Sequence, residues 1–370
     1  MFQLRPTTDP PALDRGPLAG APRRAGPPKG PPDFLDSVRK QALRPRVLVA
    51  VGVAVALVYV VARRLLGIDL AQSWADLSGA NPGLLLLALG VFYLTFLVRA
   101  ARWKVLLENV GLRPSAGRNS PSFLGLAKLM LLAAFANSVT VAQLGDAYRA
   151  HALRDRADIS FPTALGTILA ERVIDLVVLA AMLSLAALSA YSDVLPSRVA
   201  QMLIIGAGAA GVGVVFLASL RRLRPIADRL VPERWQGVYR QLEAGTLDSL
   251  DRIPLLLAYT VLAWSIEGAT IYLLAHSVGA AVSPSGALVA GLVASLLCVE
   301  PFTPGGLGVT EAGIVVVLVG LGVDPATAAA IAVLNRAVNF LSLAVAGPLL
   351  YAISGWRRAR EITLGPRRRA

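Results

Sequence analysis

Long apolar runs, separated by short charged or glycine- and proline-rich stretches, set the pattern of this chain. Runs at about 47–62 (extended by Leu65 and Leu66), 83–98, 163–190, 201–219, 254–275 and 326–353 approach the roughly 20 residues that a helix needs to cross a bilayer. They predict six transmembrane helices. Two further runs, about 123–136 and 286–299, are each roughly 14 residues, a length that fits a re-entrant segment better than a crossing. The first leads into "ANSVTVAQLGDAYRAHALR" (136–154), and the second into "CVEPFTPGGLGVTEAG" (298–313). In the second, Pro301, Pro304, Gly305, Gly306 and Gly308 cannot continue a helix and leave backbone amides approachable.

Arginine placement orients these segments. Residues 1–45 carry ten prolines and eight basic residues with almost no apolar periodicity, which predicts a disordered basic tail. No apolar signal-peptide core falls within the first 30 residues, so the first run is expected to stay as an anchor. The basic stretches after the second, fourth and last runs predict cytoplasmic loops, with both termini cytoplasmic, and the nearly arginine-free 191–200 and 276–285 face outward. Arg63-Arg64 is the discordant pair, since it follows the first run on the outer side. On this scheme 123–160 enters and leaves from the cytoplasm, while 286–322 does so from outside.

The order of elements then repeats: two spans, a hairpin and a span, then two spans, a hairpin and a span. Gly145 stands 27 residues before Arg172 in "ERVIDL" (171–176), and Gly308 stands 28 before Arg336 in "NRAVNF" (335–340). The expected fold is therefore an all-α polytopic membrane protein with about six full transmembrane helices and two opposed re-entrant hairpins in an inverted repeat. That makes eight membrane segments if hairpins are counted. Its membrane domain covers 46–355, with halves at about 46–190 and 201–353, between the 1–45 tail and a basic tail at 356–370.

Composition agrees with this class and narrows the chemistry. The chain of 370 residues is 55% hydrophobic and 16% charged, with a mean hydropathy of +0.63. Its net charge of +13 sits mainly in loops and tails, which favours contact with anionic lipid over nucleic acid. Cys298 has no partner for a disulfide and is expected to pack among Leu296, Leu297 and Val299. His151 and His276 lie in different segments with no second metal-type ligand at helical spacing. Neither a metal nor a cofactor is expected.

Charges inside the apolar runs are the functional signal. Arg172 and Arg336 each lie about 15 Å into their helices, near mid-membrane, where an isolated arginine costs on the order of 2.5–3.5 kcal/mol by insertion scales. Each therefore needs a partner or a wet cavity. Acids at hand are Asp146, Glu171, Asp175, Glu267, Glu300 and Glu311. In one reading these only fix the bundle. In the other, Arg172 and Arg336, with Arg149, meet a lipid phosphate, aided by the helix N-terminus and amides at Gly305, Gly306 and Gly308. Asn137, Asn335 and Asn339 either satisfy freed backbone or touch the headgroup. Trp103 and Trp264 are expected to be interfacial or packing residues.

These residues carry a resemblance. "RAARWKVLL" (99–107), the stretch with Asn137, Gly145, Asp146 and Arg149, "ERVID" (171–175) and the Pro-Gly-Gly-Leu-Gly-x-x-Glu run (304–311) resemble the lysylphosphatidylglycerol synthase transmembrane-region family, also called flippase-like, across roughly 45–355. Asp146 departs from the family's usual glutamate, and no proline follows Asn137. The resemblance implies a membrane domain handling polar lipids, in the best-known relatives by moving aminoacylated phospholipid. Other relatives act near hopanoid or isoprenoid-linked sugar pathways. Members that also synthesise the lipid carry a soluble domain using aminoacyl-tRNA. The longest internal cytoplasmic stretch here, about 221–253, is too short for that domain, so synthase activity is not carried over.

The expected function is translocation of a polar, anionic or aminoacylated phospholipid, or of a lipid-linked headgroup, without enzymatic chemistry. With no P-loop in the sequence, the drive would be an ion gradient or passive equilibration. The alternatives are a transferase on a lipid-linked donor, with Asp146, Glu300 or Glu311 as general base, and a membrane partner of a separate lipid-modifying enzyme.

Overall fold

A computed structural model of the chain describes residues 69–112, 121–140, 144–154, 157, 159–190, 197–298 and 304–364. The 1–45 tail, the first apolar run, Arg63-Arg64, Glu300 and Pro301 lie outside these residues. Among the described residues all regular structure is helical. The helices are α1 (Leu70–Ser78), α2 (Pro82–Asn109), α3 (Phe123–Val139), α4 (Leu144–Arg154), α5 (Phe161–Ala190), α6 (Ser197–Leu230), α7 (Glu233–Leu247), α8 (Ile253–Ser277), α9 (Pro284–Cys298), α10 (Val309–Gly320), α11 (Pro325–Arg336) and α12 (Ser342–Leu364). A π turn, Ala337–Leu341, joins the last two.

Four helical stretches among the described residues are long and apolar enough to cross a membrane: α2, α5, α8 and Pro325–Ile353. The 201–219 run lies inside α6. The two short runs are α3 and α9, each followed by a second short helix, α4 or α10, that packs back against it.

Local sequence explains where these helices start. The Asn81 side chain accepts from the N–H groups of Gly83 (2.9 Å) and Leu84 (3.3 Å), with Pro82 at the first helical position. Asp324 does the same for Ala326 (2.9 Å) and Thr327 (3.2 Å) ahead of α11, again followed by proline. Both are capped starts with a residue pre-set for helical φ. The helices are apolar nearly all round, so large side chains remain exposed on the outside, among them Leu86 (70%), Leu185 (70%) and Val345 (70%). Such an all-apolar surface is stable facing lipid, not water.

Packing is paired. At the centre α2 lies against α8. Helix α3 packs on α2, α4 and α12, and α9 packs on α8, α10 and α5. Helix α4 leads onto α5, and α10 onto α11. The two less apolar helices complete the pattern, because α7 lies against α5 and α1 against α11. At that second contact Ser73 Oγ donates to the Ala326 carbonyl (2.9 Å) and Thr327 Oγ1 to Asp76 (2.7 Å).

One expectation is corrected. The second apolar run ends at Val98, but α2 continues to Asn109, so Arg99 and Arg102 lie in the helix and not in a loop. The helix continues because carboxylates from neighbouring helices neutralise the arginines, and Trp103, Leu106 and Leu107 resume its buried face. Helix α12 runs on to Leu364, into the basic stretch that starts at 356.

Candidate functional site

Two polar centres form where the helix pairs α3/α4 and α9/α10 meet α5 and α11. The first is a network of three arginines and three acids. Arg102 grips Asp175 with both terminal nitrogens (Nη2 to Oδ2, 3.1 Å) and reaches Glu171 Oε1 (3.1 Å) and Thr260 Oγ1 (2.8 Å). Arg149, from α4, forms two bonds to Glu171 (3.0 and 3.2 Å) and lies with its guanidinium 5.1 Å from the Trp103 ring centre. Arg172 donates twice to Asp146 (2.7 and 3.0 Å). Arg102, Arg149 and Glu171 are at most 2% exposed, whereas the Arg172 side chain is 38% exposed. Buried charges at this depth are tolerated because each arginine faces carboxylates.

The second centre is simpler. Arg336 pairs with Glu311 and donates to the carbonyls of Gly305 (2.8 Å) and Gly306 (3.3 Å). Glu311 Oε2 in turn accepts from the Gly308 N–H (2.7 Å). The glycine turn needs these residue types, since Gly305, Gly306 and Gly308 all have φ between 58° and 87°. The Gly305 and Gly306 carbonyls and the Gly308 amide are therefore held by its own arginine and glutamate. Sequence reasoning aimed the Gly308 amide at a headgroup, and the structure instead gives it to Glu311, the nearest acceptor on the same helix start.

The centres correspond residue by residue. Asp146 lies 26 residues before the arginine it binds, and Glu311 lies 25 before its own. Around those arginines Glu171 and Asp175 match Asn335 and Asn339 in spacing. The acid pair recruits Arg102 and Arg149, while the asparagine pair bonds only within itself (Asn339 Nδ2 to Asn335 Oδ1, 2.6 Å) among the described residues. In the first hairpin Asn137 Oδ1 takes the Gly145 N–H (2.7 Å). A Cβ on Gly145 would stand 2.0 Å from the Ala133 carbonyl oxygen, so only glycine lets α3 and α4 approach this closely.

Between the centres lies a cavity of about 230 Å³. Arg99, Arg172 and Arg336 line it, with Glu267, Asn335 and Asn339. The glycine turn meets the end of α3 at its wall, where Gly305 approaches the Ser138 carbonyl so closely that a Cβ would sit 3.0 Å away. The π turn widens the last span at the same place and brings Asn339 and Phe340 to the wall; π turns of this kind recur at functional sites. Arg99 reaches Glu267 (3.5 Å) and lies over the Trp264 ring at 5.3 Å.

The sequence-derived candidates divide across this geometry. Arg172, Arg336, Gly305, Asn137, Glu267, Asn335 and Asn339 line the cavity. Arg149, expected at the headgroup, is instead 1% exposed and committed to Glu171, because the acids of α5 draw it inward. Asp146, Glu171, Asp175 and Glu311 hold arginines in place. Cys298, expected to be packed, is exposed and lines the cavity. Of the tryptophans, Trp103 is fully buried and donates to Thr167 Oγ1 (3.3 Å), whereas Trp264 faces the cavity. Arg99 and Arg102 were missed as site residues. Their signal was the three-residue spacing followed by renewed apolar positions, which places both on one helix face.

The description of a family, the lysylphosphatidylglycerol synthase TM region, matches residues 47–347, and the chain belongs to that family. It is a membrane protein with apolar helices of multi-pass character. Among curated proteins it is similar to UPF0104 membrane protein MJ1078 of Methanocaldococcus jannaschii, with 28% identity over 223 residues, covering 59% of this chain and 94% of the relative. It is also similar to Glycosyltransferase AglD of Haloferax volcanii, with 27% identity over 349 residues. That match covers 80% of this chain but 53% of AglD.

Proposed function

We propose that this protein is a lipid translocase of the cytoplasmic membrane, moving a polar or anionic headgroup through the cavity between its two hairpins. The observation that carries the reading is the cavity wall, where Arg99, Arg172 and Arg336 converge from three different helices. Cations held inside an otherwise apolar bundle, next to broken helices, are the arrangement transporters use for polar cargo. The buried acids keep the arginines charged and positioned without filling the cavity. Arg172 and Arg336 meet the headgroup, joined by Arg99, while Arg149 supports them.

An inverted repeat is the architecture that best accounts for the paired packing. Six spans and two opposed re-entrant hairpins, with halves at about 46–190 and 201–353, would relate α2 to α8, α3 and α4 to α9 and α10, and α5 to α11 and α12. Helix α7 lies at the start of α5 as α1 lies at the start of α11, and positive-inside charge puts those starts on opposite faces. Both termini are then cytoplasmic. The basic tails 1–45 and 356–370 meet anionic lipid, and a separate lipid-modifying enzyme is a candidate partner.

A second reading has one specific support, the glycosyltransferase name of AglD. In it Asp146, Glu300 or Glu311 would act as general base on a lipid-linked donor. Asp146 and Glu311 are already bound to arginines, which favours a positioning role. Purified protein in vesicles carrying fluorescent lipids separates the two readings. Translocation predicts leaflet exchange faster than in empty vesicles, with the lipid chemically unchanged. Exchange no faster than in empty vesicles for any anionic, aminoacylated or sugar-linked lipid refutes it, and a new lipid product establishes the transferase.

A further inference from the structure

The cavity wall also carries information on what kind of headgroup fits. Among the described residues Glu267 is the one carboxylate that lines it, and Arg99 engages that carboxylate at 3.5 Å. Asp146 and Glu311 are bound to their arginines and are not among the lining residues. The described wall therefore presents three guanidinium groups and no unengaged carboxylate.

Neutral polar groups complete it. Thr95 Oγ1, Thr310 Oγ1, Trp264 Nε1 and Arg99 Nε are buried atoms without a hydrogen-bond partner, and all four residues line the cavity. Thr95, Thr310 and Trp264 are 2%, 6% and 7% exposed. Buried polar atoms usually have a partner, so these four residues supply hydrogen-bonding capacity along the cavity wall. Asn335 and Asn339 add amide groups on the side opposite the charged network. At the matching positions of the first half, Glu171 and Asp175 are consumed by arginines, whereas the asparagines are bonded only to each other among the described residues. The space of about 230 Å³ is below the roughly 300–1,000 Å³ of drug-sized pockets and suits a headgroup rather than a whole lipid.

We infer that the cavity selects an anionic polyol headgroup, a phosphate bearing free hydroxyls, over a cationic aminoacyl headgroup. This rests on the translocase reading of the same cavity. Arg99, Arg172 and Arg336 take the phosphate. Asn335, Asn339, Thr95 and Thr310 exchange hydrogen bonds with hydroxyls, each of which both donates and accepts. Among the described residues an ammonium placed here would face the three arginines with no unengaged carboxylate to receive it. Glycerol phosphate and a lipid-linked sugar phosphate share this chemistry.

Equilibrium binding to the purified full chain in detergent tests the inference without requiring transport. The probes are dihexanoyl-phosphatidylglycerol, its lysyl ester, dihexanoyl-phosphatidic acid and a hexose phosphate on a short isoprenoid, followed by calorimetry. The expected result is that phosphatidylglycerol or the hexose phosphate binds about tenfold more tightly than the lysyl ester. Replacing Asn339→Leu should weaken the polyol probes about 3- to 10-fold, the worth of one or two neutral hydrogen bonds. Phosphatidic acid, which has phosphate but no hydroxyls, should change by less than about twofold. Whichever polyol binds more tightly names the source, glycerophospholipid or sugar-linked lipid. Equal or tighter binding of the lysyl ester to wild type overturns the inference, as does equal weakening of all probes by Asn339→Leu in protein that keeps its wild-type thermal midpoint. Selective binding without leaflet exchange would refute translocation alone, and exchange that favours the lysyl lipid would refute this inference alone.

Discussion

Replacing Glu171→Gln tests whether the buried network is a balanced unit. Glu171 is 2% exposed and holds two arginines that are each 1% exposed, Arg102 at 3.1 Å and Arg149 at 3.0 and 3.2 Å. Glutamine removes one negative charge and turns an amide N–H₂ toward groups that can only donate. Arg102 would retain Asp175, but the one carboxylate left near Arg149 would be Asp146, 3.3 Å from its Nε, beside the neutral Met130 sulfur and Trp103 ring. Leaving a buried charge uncompensated costs about 3–5 kcal/mol. By contrast Asp146→Asn releases chiefly Arg172, whose side chain is 38% exposed and can be solvated, so about 1 kcal/mol or less is expected. Denaturant titration of both variants in the same micelles gives the comparison. Adding Arg149→Met to Glu171→Gln should recover most of the loss by restoring charge balance. If Glu171→Gln lay within about 1 kcal/mol of wild type, or if the double variant were no better than the single, the balanced-unit account would be wrong.

Other outcomes follow from single contacts. Gly145→Ala forces a Cβ to 2.0 Å from the Ala133 carbonyl and should destabilise by at least about 1–3 kcal/mol, as overpacking does. Gly90→Ala, with nothing within 4 Å of the added carbon, should be neutral or stabilise by up to about 1 kcal/mol through helix propensity; denaturation of the pair checks both. Arg336→Lys keeps the charge but loses the planar donors that bind Gly305 and Gly306, so hydrogen exchange at 305–308 should accelerate while α2 and α8 stay protected. Cys298 should react with a small maleimide in folded protein, as an exposed cavity thiol, and a short-chain lipid that fills the cavity should slow the labelling.

The long apolar runs made four of the spans legible, because a helix facing lipid needs apolar length and little else. The turn at 304–308 was legible for the opposite reason, since such backbone has few places to go. The pairing was harder to read. Sequence spacing matched Arg172 with Arg336, but it could not show that Asp146 and Glu311 are their partners, since those bonds span separate helices. Arg149 looked like a headgroup ligand because its burial depends on Glu171, on the next helix. Arg99 and Arg102 looked like loop charges because an apolar-run count ends a helix at the first arginine, whereas partners supplied by α5 and α8 let α2 continue. Cys298 looked packed from its neighbours in sequence, yet it lines a cavity formed with residues of other helices.

The central claim, that a headgroup passes the arginines of the cavity, is tested most directly by the leaflet-exchange rate of a fluorescent phosphatidylglycerol in vesicles containing Arg172→Ala. Arg172 is the most exposed arginine of the network and lines the cavity, so its loss should spare the fold while removing a charge-assisted contact to phosphate. A charged hydrogen bond of about 1.5–3 kcal/mol corresponds to a slowing of roughly 10- to 150-fold relative to wild type. An Arg172→Ala protein with wild-type thermal midpoint and wild-type exchange would contradict the account.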